Sequence, residues 1–262
     1  MLFRSRVTFV FTKNRNLLPI GHAFIELQSV DSTNNYAMAR AALGEAAHGT
    51  LYFANDQWAG KGQRGRTWTS QAGENIILSA VLEPVALAPS QTFALSACVA
   101  LACHDLLGHY AGSERTRIKW PNDLYWGDRK AGGILIENSF RGDRWAFAIA
   151  GIGININQTD FPDTIRNPVS LRQITGRSYS AIQLARELGD YLDRRYRELE
   201  TGAAPLIAEY NSRLYRLGQQ VRLRKDNAVF DTTIGGVSAL GQLLTRDVLE
   251  REFSFGEVEW IL

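Results

Sequence analysis

Apolar and polar residues alternate with a period of two over Phe24-Ile25-Glu26-Leu27-Gln28, which predicts a strand. Asp31-Ser32-Thr33 then offers capping oxygens, and Asn35 to Leu43 carries helical periodicity up to a stop at Gly44. Strands are predicted over Thr50 to Asn55 and Asn75 to Leu82. Between them, Gln57 to Gly73 has no apolar period and reads as a long loop, a kind of segment that is usually functional or disordered. Gln91 to Tyr110, rich in Ala and Leu, predicts a mostly buried helix. Thr116 to Trp120, Lys130 to Ser139 and Trp145 to Ile154 follow as strands, then Ile182 to Leu199 and Leu206 to Leu217 as helices with charged outer faces. After Gly218 the pattern changes to short strands: Val221 to Arg224, Val229 to Ile234, Gly241 to Thr245, Glu252 to Phe255 and Glu257 to Ile261. Their glycine punctuation predicts a small β-barrel, with a boundary near Leu217.

Bulk properties narrow the function classes. The 262 residues carry a net charge of +2, too balanced to argue for a DNA-binding or membrane-surface protein. No apolar run reads as long enough to span a bilayer. The first twenty residues mix Arg4, Arg6, Lys13 and Arg15 with a short apolar run. They lack a small-residue cleavage site, so a frayed or edge-strand leader is expected rather than a signal peptide. Cys98 and Cys103 fall on the predicted helix with Cα atoms roughly 8–9 Å apart, too far to bridge. Both are expected to be reduced core residues of a cytoplasmic protein. His22, His48, His104 and His109 show no metal-ligand spacing, so no zinc site is expected.

The most informative chemistry lies in Lys119-Trp120-Pro121-Asn122-Asp123, followed by Arg129-Lys130-Ala131-Gly132-Gly133-Ile134-Leu135. Pro121 forces a turn beside two lysines, a carboxylate and a carboxamide. A glycine pair within a strand marks close approach to the backbone. Together they suggest a small-molecule site that handles negative charge.

Gly60-Lys61-Gly62-Gln63-Arg64-Gly65 fits the spacing of a dinucleotide-binding turn, and Glu83 lies where a ribose-binding acid is expected. The context argues against that motif, because Arg66 to Gly73 has poor helix propensity and the motif needs a helix to begin there. What remains is a glycine-rich loop carrying Lys61, Arg64 and Arg66, able to close over a phosphorylated ligand. Taken alone it is as readily a solvated basic loop. Gly151-Ile152-Gly153-Ile154-Asn155 ends a strand in a carboxamide that could serve a ribose, a phosphate or a hydrated Mg²⁺, or simply a turn. Ser32-Thr33-Asn34 reads as a helix cap or as a polar-ligand contact. Trp68 and Trp120 read as packing residues that could also cover a base.

Taken in order, these segments resemble the biotin protein ligases. The resemblance covers about residues 24–262 and is most specific in Lys119-Trp120-Pro121-Asn122-Asp123. It implies an α+β fold: a mixed β-sheet with helices packed on it, forming a catalytic domain over residues 1–217, and a small SH3-like β-barrel over 218–262. The implied reaction joins the biotin carboxylate to the α-phosphate of ATP, with Mg²⁺. Biotin then passes from biotinyl-5′-AMP to a lysine of the biotin carboxyl carrier protein of acetyl-CoA carboxylase. By the same matching, Lys130 and Arg64 are the catalytic candidates. Ser32, Thr33, Asn34, Gln57, Gly60, Lys61, Gly62, Gln63, Lys130, Gly133 and Leu135 would hold biotin, with the Gly132-Gly133 backbone along the ligand. Arg64, Arg66, Trp68, Lys119, Asn122, Asp123, Lys130 and Asn155 would hold ATP, Trp68 over the adenine and Asn155 and Asp123 near the Mg²⁺. No side-chain metal cluster is implied. A homodimer is compatible with the pattern, and no membrane partner is expected. The rival readings are a lipoate–protein ligase and a non-catalytic module of the same fold.

The chain departs from the family pattern at Gln63, where many members carry arginine. If Arg64 takes over retention of the adenylate, Arg64→Ala will release more free biotinyl-AMP, and unchanged leakage and turnover would refute that substitution. Repressor members carry a helix-turn-helix domain ahead of the Ser-Thr-Asn segment, where this sequence has only a short leader. No DNA binding is therefore expected, and a specific gel shift at physiological salt would contradict this.

Overall fold

The computed structural model of the chain describes residues 17–85 and 87–261, so most of the expected leader lies outside the described residues. Seven strands form one sheet: β1 (Ala23–Val30), β2 (Thr50–Gln57), β3 (Asn75–Leu82), β4 (Thr116–Lys119), β5 (Asp123–Trp126), β6 (Arg129–Arg141) and β7 (Arg144–Asn155). Their order is β1-β2-β3-β7-β6-β5-β4. The β1–β2 pair is parallel and the other pairs are antiparallel, giving the expected mixed sheet.

Among the described residues five α-helices accompany the sheet: α1 (Thr33–Ala42), α2 (Thr92–Ala111), α3 (Leu171–Thr175), α4 (Ala181–Thr201) and α5 (Ala203–Ser212). The period of two in the strands sorts side chains onto two faces. Leu51, Phe53, Ile76, Leu78, Ala150 and Ile152 face the main core with α2, α4 and α5. Tyr52, Val81, Phe147 and Ile149 face the other way, under Ala37 and Ala41 of α1. Cys98 and Cys103 are free and buried on α2, as expected.

A second, antiparallel sheet contains β8 (Gln220–Lys225), β9 (Ala228–Val237), β10 (Leu243–Arg246), β11 (Glu250–Phe253) and β12 (Glu259–Ile261), in the order β11-β10-β9-β8-β12. Its Leu223, Ile234, Val237, Leu243 and Phe253 join the main buried cluster. The joint is also hydrogen-bonded. The Trp120 indole donates to the Gly241 carbonyl at 2.9 Å, and Asn211 bonds both backbone groups of Val237 at 2.6 and 3.0 Å. Trp120 is thus a packing residue at the joint between the sheets, 3% exposed.

Several expectations need correction. β5 and α3 were not anticipated: four residues beginning with Asp, and five residues in a polar stretch, give too little periodicity. The last helix ends at Ser212 rather than Leu217, because Leu214 and Leu217 leave it to bridge Ile118 and Ile234. Gln57 completes β2 rather than opening the loop. The stretch Pro89–Ala111 is long and apolar enough to cross a bilayer, contrary to the reading from sequence, but 78% of that window is buried in the fold.

Arg195 ties three helices together. Its guanidinium donates to Asp105 on α2 at 2.8 and 3.1 Å, to Glu209 on α5 at 2.8 Å through both terminal nitrogens, and to Glu198 on α4 at 2.8 Å. Burial opposes charge on Asp105, but the His104 ring and the arginines Arg195 and Arg194 outweigh it and hold this carboxyl below the usual range. Removing the cation strands partly buried carboxylates, so Arg195→Ala should cost about 3 kcal/mol and lower the Tm by roughly 5–10 °C. Because the folded pKa of Asp105 is depressed, its contribution is full above about pH 4 and fades as pH falls below that value. Thermal melts of both proteins between pH 7 and pH 3 test this: a wild-type-like Tm at pH 7, or a gap that does not shrink in acid, would contradict it.

Candidate ligand-binding and catalytic site

On the α1 face of the sheet, the large side chains give way to small ones. Phe147 and Ile149 on β7 are followed on the same face by Gly151 and Gly153, and Val81 on β3 is preceded by Ser79. The result is a cavity of about 620 Å³, within the range of roughly 300–1,000 Å³ usual for small-molecule sites. The two glycines are needed for space. A Cβ at Gly151 would collide with the Asn34 carboxamide, and one at Gly153 with the Trp68 ring.

The expected residues largely converge here. Ser32, Thr33, Asn34, Gln57, Lys61, Gly62, Gln63, Arg64, Arg66, Trp68, Lys119, Asn122, Asp123, Lys130, Gly133, Leu135 and Asn155 all line the cavity. Gly60 stands behind it, where a Cβ would strike the Trp68 carbonyl and the Gln57 amide. Gly132 is a correction. It faces the Gly153 carbonyl and Leu124, and only Gly133 of the pair faces Trp68, Lys130 and Asp123.

One end of the cavity is polar and uncharged. Ser32 occupies the N-cap position of α1 but makes no capping hydrogen bond, contrary to the simplest reading of that segment. The Thr33 N–H and hydroxyl both donate to Gln57 Oε1, at 2.8 and 3.3 Å. Ser79, fully buried, donates to Asn34 Oδ1 at 2.6 Å and lies 2.8 Å from Thr33 Oγ1. The Asn34 amide donates to Glu137 and to the Leu135 carbonyl, at 2.8 and 3.3 Å. Asn34 therefore fixes the pocket wall, while the Ser32 hydroxyl and the Gln57 amide nitrogen have no hydrogen-bond partner among the described residues. Sequence reasoning missed Ser79 because a lone serine inside an apolar strand carries no motif.

The other end is cationic. Lys61, Arg64, Arg66, Lys119, Lys130 and Arg166 line the cavity against the carboxylates of Asp123 and Glu259. The Lys130 ammonium lies 2.7 Å from Asp123 Oδ1. Its backbone is clamped by the segment after β7: Lys130 N–H donates to the Asn167 carbonyl, and Val169 N–H to the Lys130 carbonyl, both at 2.8 Å. Asn155 reinforces the clamp by donating to the Val169 carbonyl at 3.1 Å and the Lys130 carbonyl at 3.4 Å. Asn122 donates to the Ile134 carbonyl at 2.8 Å, pinning the β4–β5 turn to β6. Lys61 reaches Glu137 at 3.7 Å and is thereby drawn toward β6.

The glycine loop forms a short hairpin closed by Gly62 N–H to the Arg66 carbonyl at 2.7 Å and Trp68 N–H to the Gly60 carbonyl at 2.9 Å. Gln63–Gly65 makes a single 3₁₀ turn and no α-helix follows, in line with rejecting a dinucleotide motif. Arg64 has φ 56° and its guanidinium packs beside Gly256, linking the loop to the small sheet. That sheet also contributes Trp260, whose ring lies 5.3 Å from the Lys119 ammonium. Arg166, Phe161 and Ile165 were missed in the sequence. They lie in an irregular stretch after β7 whose length was itself a signal of function.

Burial pushes the Lys119 ammonium down to about 8; Lys130, Arg166 and Arg66 add to the effect, and Asp123 opposes it. Lys119 also donates to the Tyr125 hydroxyl at 3.2 Å. A bound anion would restore its proton.

Residues 26–155 match the biotin/lipoate A/B protein ligase family. The chain is 32% identical over 234 residues to the bifunctional ligase/repressor BirA of Bacillus spizizenii, covering 87% of this chain and 71% of the relative. It is 33% identical over 235 residues to the biotin–[acetyl-CoA-carboxylase] ligase of Paracoccus denitrificans, covering 86% and 95%. Its fold resembles the biotin protein ligase of Aquifex aeolicus in complex with biotin and ATP, with a TM-score of 0.76 at 25% identity over 92% of this chain and 99% of that one.

Pyrophosphate binding tests the cationic end. Its affinity should fall as pH rises from 7 to 9 and Lys119 loses its proton, and binding near pH 8 should take up protons. Lys119→Arg should flatten the profile. Equal pH dependence in both proteins, measured by calorimetry in two buffers, would exclude Lys119 as the titrating group.

Proposed function

The chain belongs to the biotin/lipoate A/B protein ligase family, and on that premise we propose that it activates biotin as biotinyl-5′-AMP and transfers it to a carrier-protein lysine. The proposed acceptor is the biotin carboxyl carrier protein of acetyl-CoA carboxylase, and residues 1–217 and 218–262 are taken as the catalytic and SH3-like domains. The observation that carries this reading is one cavity with an uncharged donor–acceptor end and a cationic end, meeting at Lys130. A ureido ring offers one carbonyl and two N–H groups, which match Gln57 Nε2 and the Ser32 hydroxyl. A carboxylate and a triphosphate together need the cations.

In the first step a biotin carboxylate oxygen attacks the α-phosphorus of ATP, and pyrophosphate leaves with the electron pair of the broken P–O bond. No protein nucleophile is required, so the chain contributes position and charge. Lys130 bridges the two anions, and Asp123, 2.7 Å from its ammonium, aims it. Lys119, Arg66 and Arg166 face the phosphates, and Trp68 offers a ring for the adenine. In the second step the neutral amine of the acceptor lysine attacks the acyl carbon. The C–O bond to AMP breaks, and the amine proton leaves to solvent or phosphate.

Magnesium fits as a partner of ATP rather than of a protein cage. Among the described residues no three His, Cys, Asp or Glu side chains converge. The phosphates would hold the ion, with Asn155 Oδ1, which accepts no hydrogen bond from the described residues, as a neighbour. When bound it would neutralise phosphate charge.

The assay is biotin-dependent exchange of labelled pyrophosphate into ATP. Wild type should exchange with biotin and not with lipoate, and Lys130→Ala should lower the rate roughly 100- to 1,000-fold with the fold intact by circular dichroism. Exchange driven by lipoate would favour the rival ligase. Near-normal exchange by Lys130→Ala would remove the bridging role.

A further inference from the structure

Aromatic side chains from three parts of the chain gather around the Lys119 ammonium. Tyr125 comes from β5, Trp260 from β12, and Tyr215 from the stretch between α5 and β8. The ammonium donates to the Tyr125 hydroxyl at 3.2 Å, and it lies 4.9 Å from the centre of that ring and 5.3 Å from the centre of the Trp260 ring. Tyr215 joins the other two, its ring centre 5.0 Å from that of Tyr125 and 5.9 Å from that of Trp260.

Backbone pairing fixes the group. Ile118 N–H donates to the Arg213 carbonyl at 2.9 Å, and Tyr215 N–H to the Ile118 carbonyl at 2.8 Å, so Tyr215 runs beside the end of β4 that carries Lys119. The Tyr215 hydroxyl is held in turn by Asp128 at 2.7 Å. Trp260 stands opposite the fully buried Leu223 of β8.

Hydrogen bonding does not account for a tryptophan here. Its indole N–H is buried and finds no acceptor among the described residues, a cost that a leucine or phenylalanine would avoid. What the indole supplies is an electron-rich face, which attracts a cation more strongly than any other side chain's ring. The cation beside it is under strain. Burial disfavours charge on Lys119, and Lys130 on β6, Arg166 after β7 and Arg66 on the glycine loop repel it, while Asp123 on β5 opposes them. Arg64 and Glu259 line the same cavity, with Glu259 paired to Arg224 at 2.5 Å.

We infer that Trp260 is a positioning residue for the nucleotide phosphates, its ring holding the Lys119 ammonium charged and in place at the cationic end of the cavity. The inference rests on the reading of that end as the phosphate site. Trp260 acts through Lys119 and not through a contact of its own with the ligand.

Pyrophosphate binding to the full chain, followed by calorimetry, tests this. Trp260→Leu should weaken binding about fivefold near pH 8 and shift its loss to lower pH, because without the ring the amine gives up its proton sooner. Trp260→Phe keeps an aromatic face and should lose only about twofold. In biotin-dependent exchange, Trp260→Leu should raise the KM for ATP about fivefold and leave the KM for biotin within about twofold, whereas a general loosening would raise both. In a Lys119→Met background, Trp260→Leu should weaken pyrophosphate binding no further. Should Trp260→Leu fail to fold, Trp260→Phe carries the same cycle. Additive losses in the cycle would overturn the inference, as would equal rises in both KM values or a Trp260→Leu protein with the wild-type affinity and pH profile. Wild-type protein that binds neither pyrophosphate nor ATP would instead overturn the phosphate-site reading beneath it.

Discussion

The ammonium of Lys130 sits 2.7 Å from the Asp123 carboxylate at the place where the β4–β5 turn meets β6. A cation there has Lys119, Arg66 and Arg166 around the same cavity, and the Asp123 carboxylate offsets their repulsion. Burial brings the Lys119 ammonium down to about 8, although Asp123 opposes that shift. Much of the surrounding architecture holds the pair in register. Asn122 fastens the turn to Ile134, Trp120 fastens it to Gly241 of the small sheet, and the segment from Asn167 to Val169 clamps the Lys130 backbone on both sides. Catalysis by positioning needs such rigidity, because a misplacement of about 1 Å can cost roughly 100-fold.

Space for a ligand comes from the sheet, not from a separate cleft. The same strands carry large residues under α1 and small ones beside the glycine loop, so a single surface changes from core to cavity along its length. The small sheet is part of the site, since Gly256, Glu259 and Trp260 reach the cavity while Leu223, Ile234 and Phe253 share a buried core with α2 and α5. A conformational coupling between loop and small sheet would run through Arg64, which lies against the Gly256 turn.

The long strands and helices were legible because their apolar periods extend over eight residues or more, as in Asn75–Leu82 and Ala181–Thr201. β5 and α3 were not, since each is held by neighbours rather than by its own pattern. The site residues were legible as types at particular spacings, helped greatly by a family resemblance. Their division of labour was not. Asn34 and Asn155 look like ligand contacts in the sequence, yet their amide nitrogens bond the protein itself. Ser79 supports two site residues from a strand interior that reads as plain core. Arg166 joins the cavity through a long irregular segment with no periodicity, where only tertiary contact reveals its place.

The central claim is that one ammonium offsets the repulsion between two anionic reactants. It is tested most directly by measuring how biotin changes the affinity for α,β-methylene ATP, which cannot release pyrophosphate, in wild type and Lys130→Gln. The account predicts that biotin strengthens nucleotide binding by roughly tenfold in wild type and weakens it in the variant, where the repulsion is uncovered. The same coupling in both proteins would contradict it.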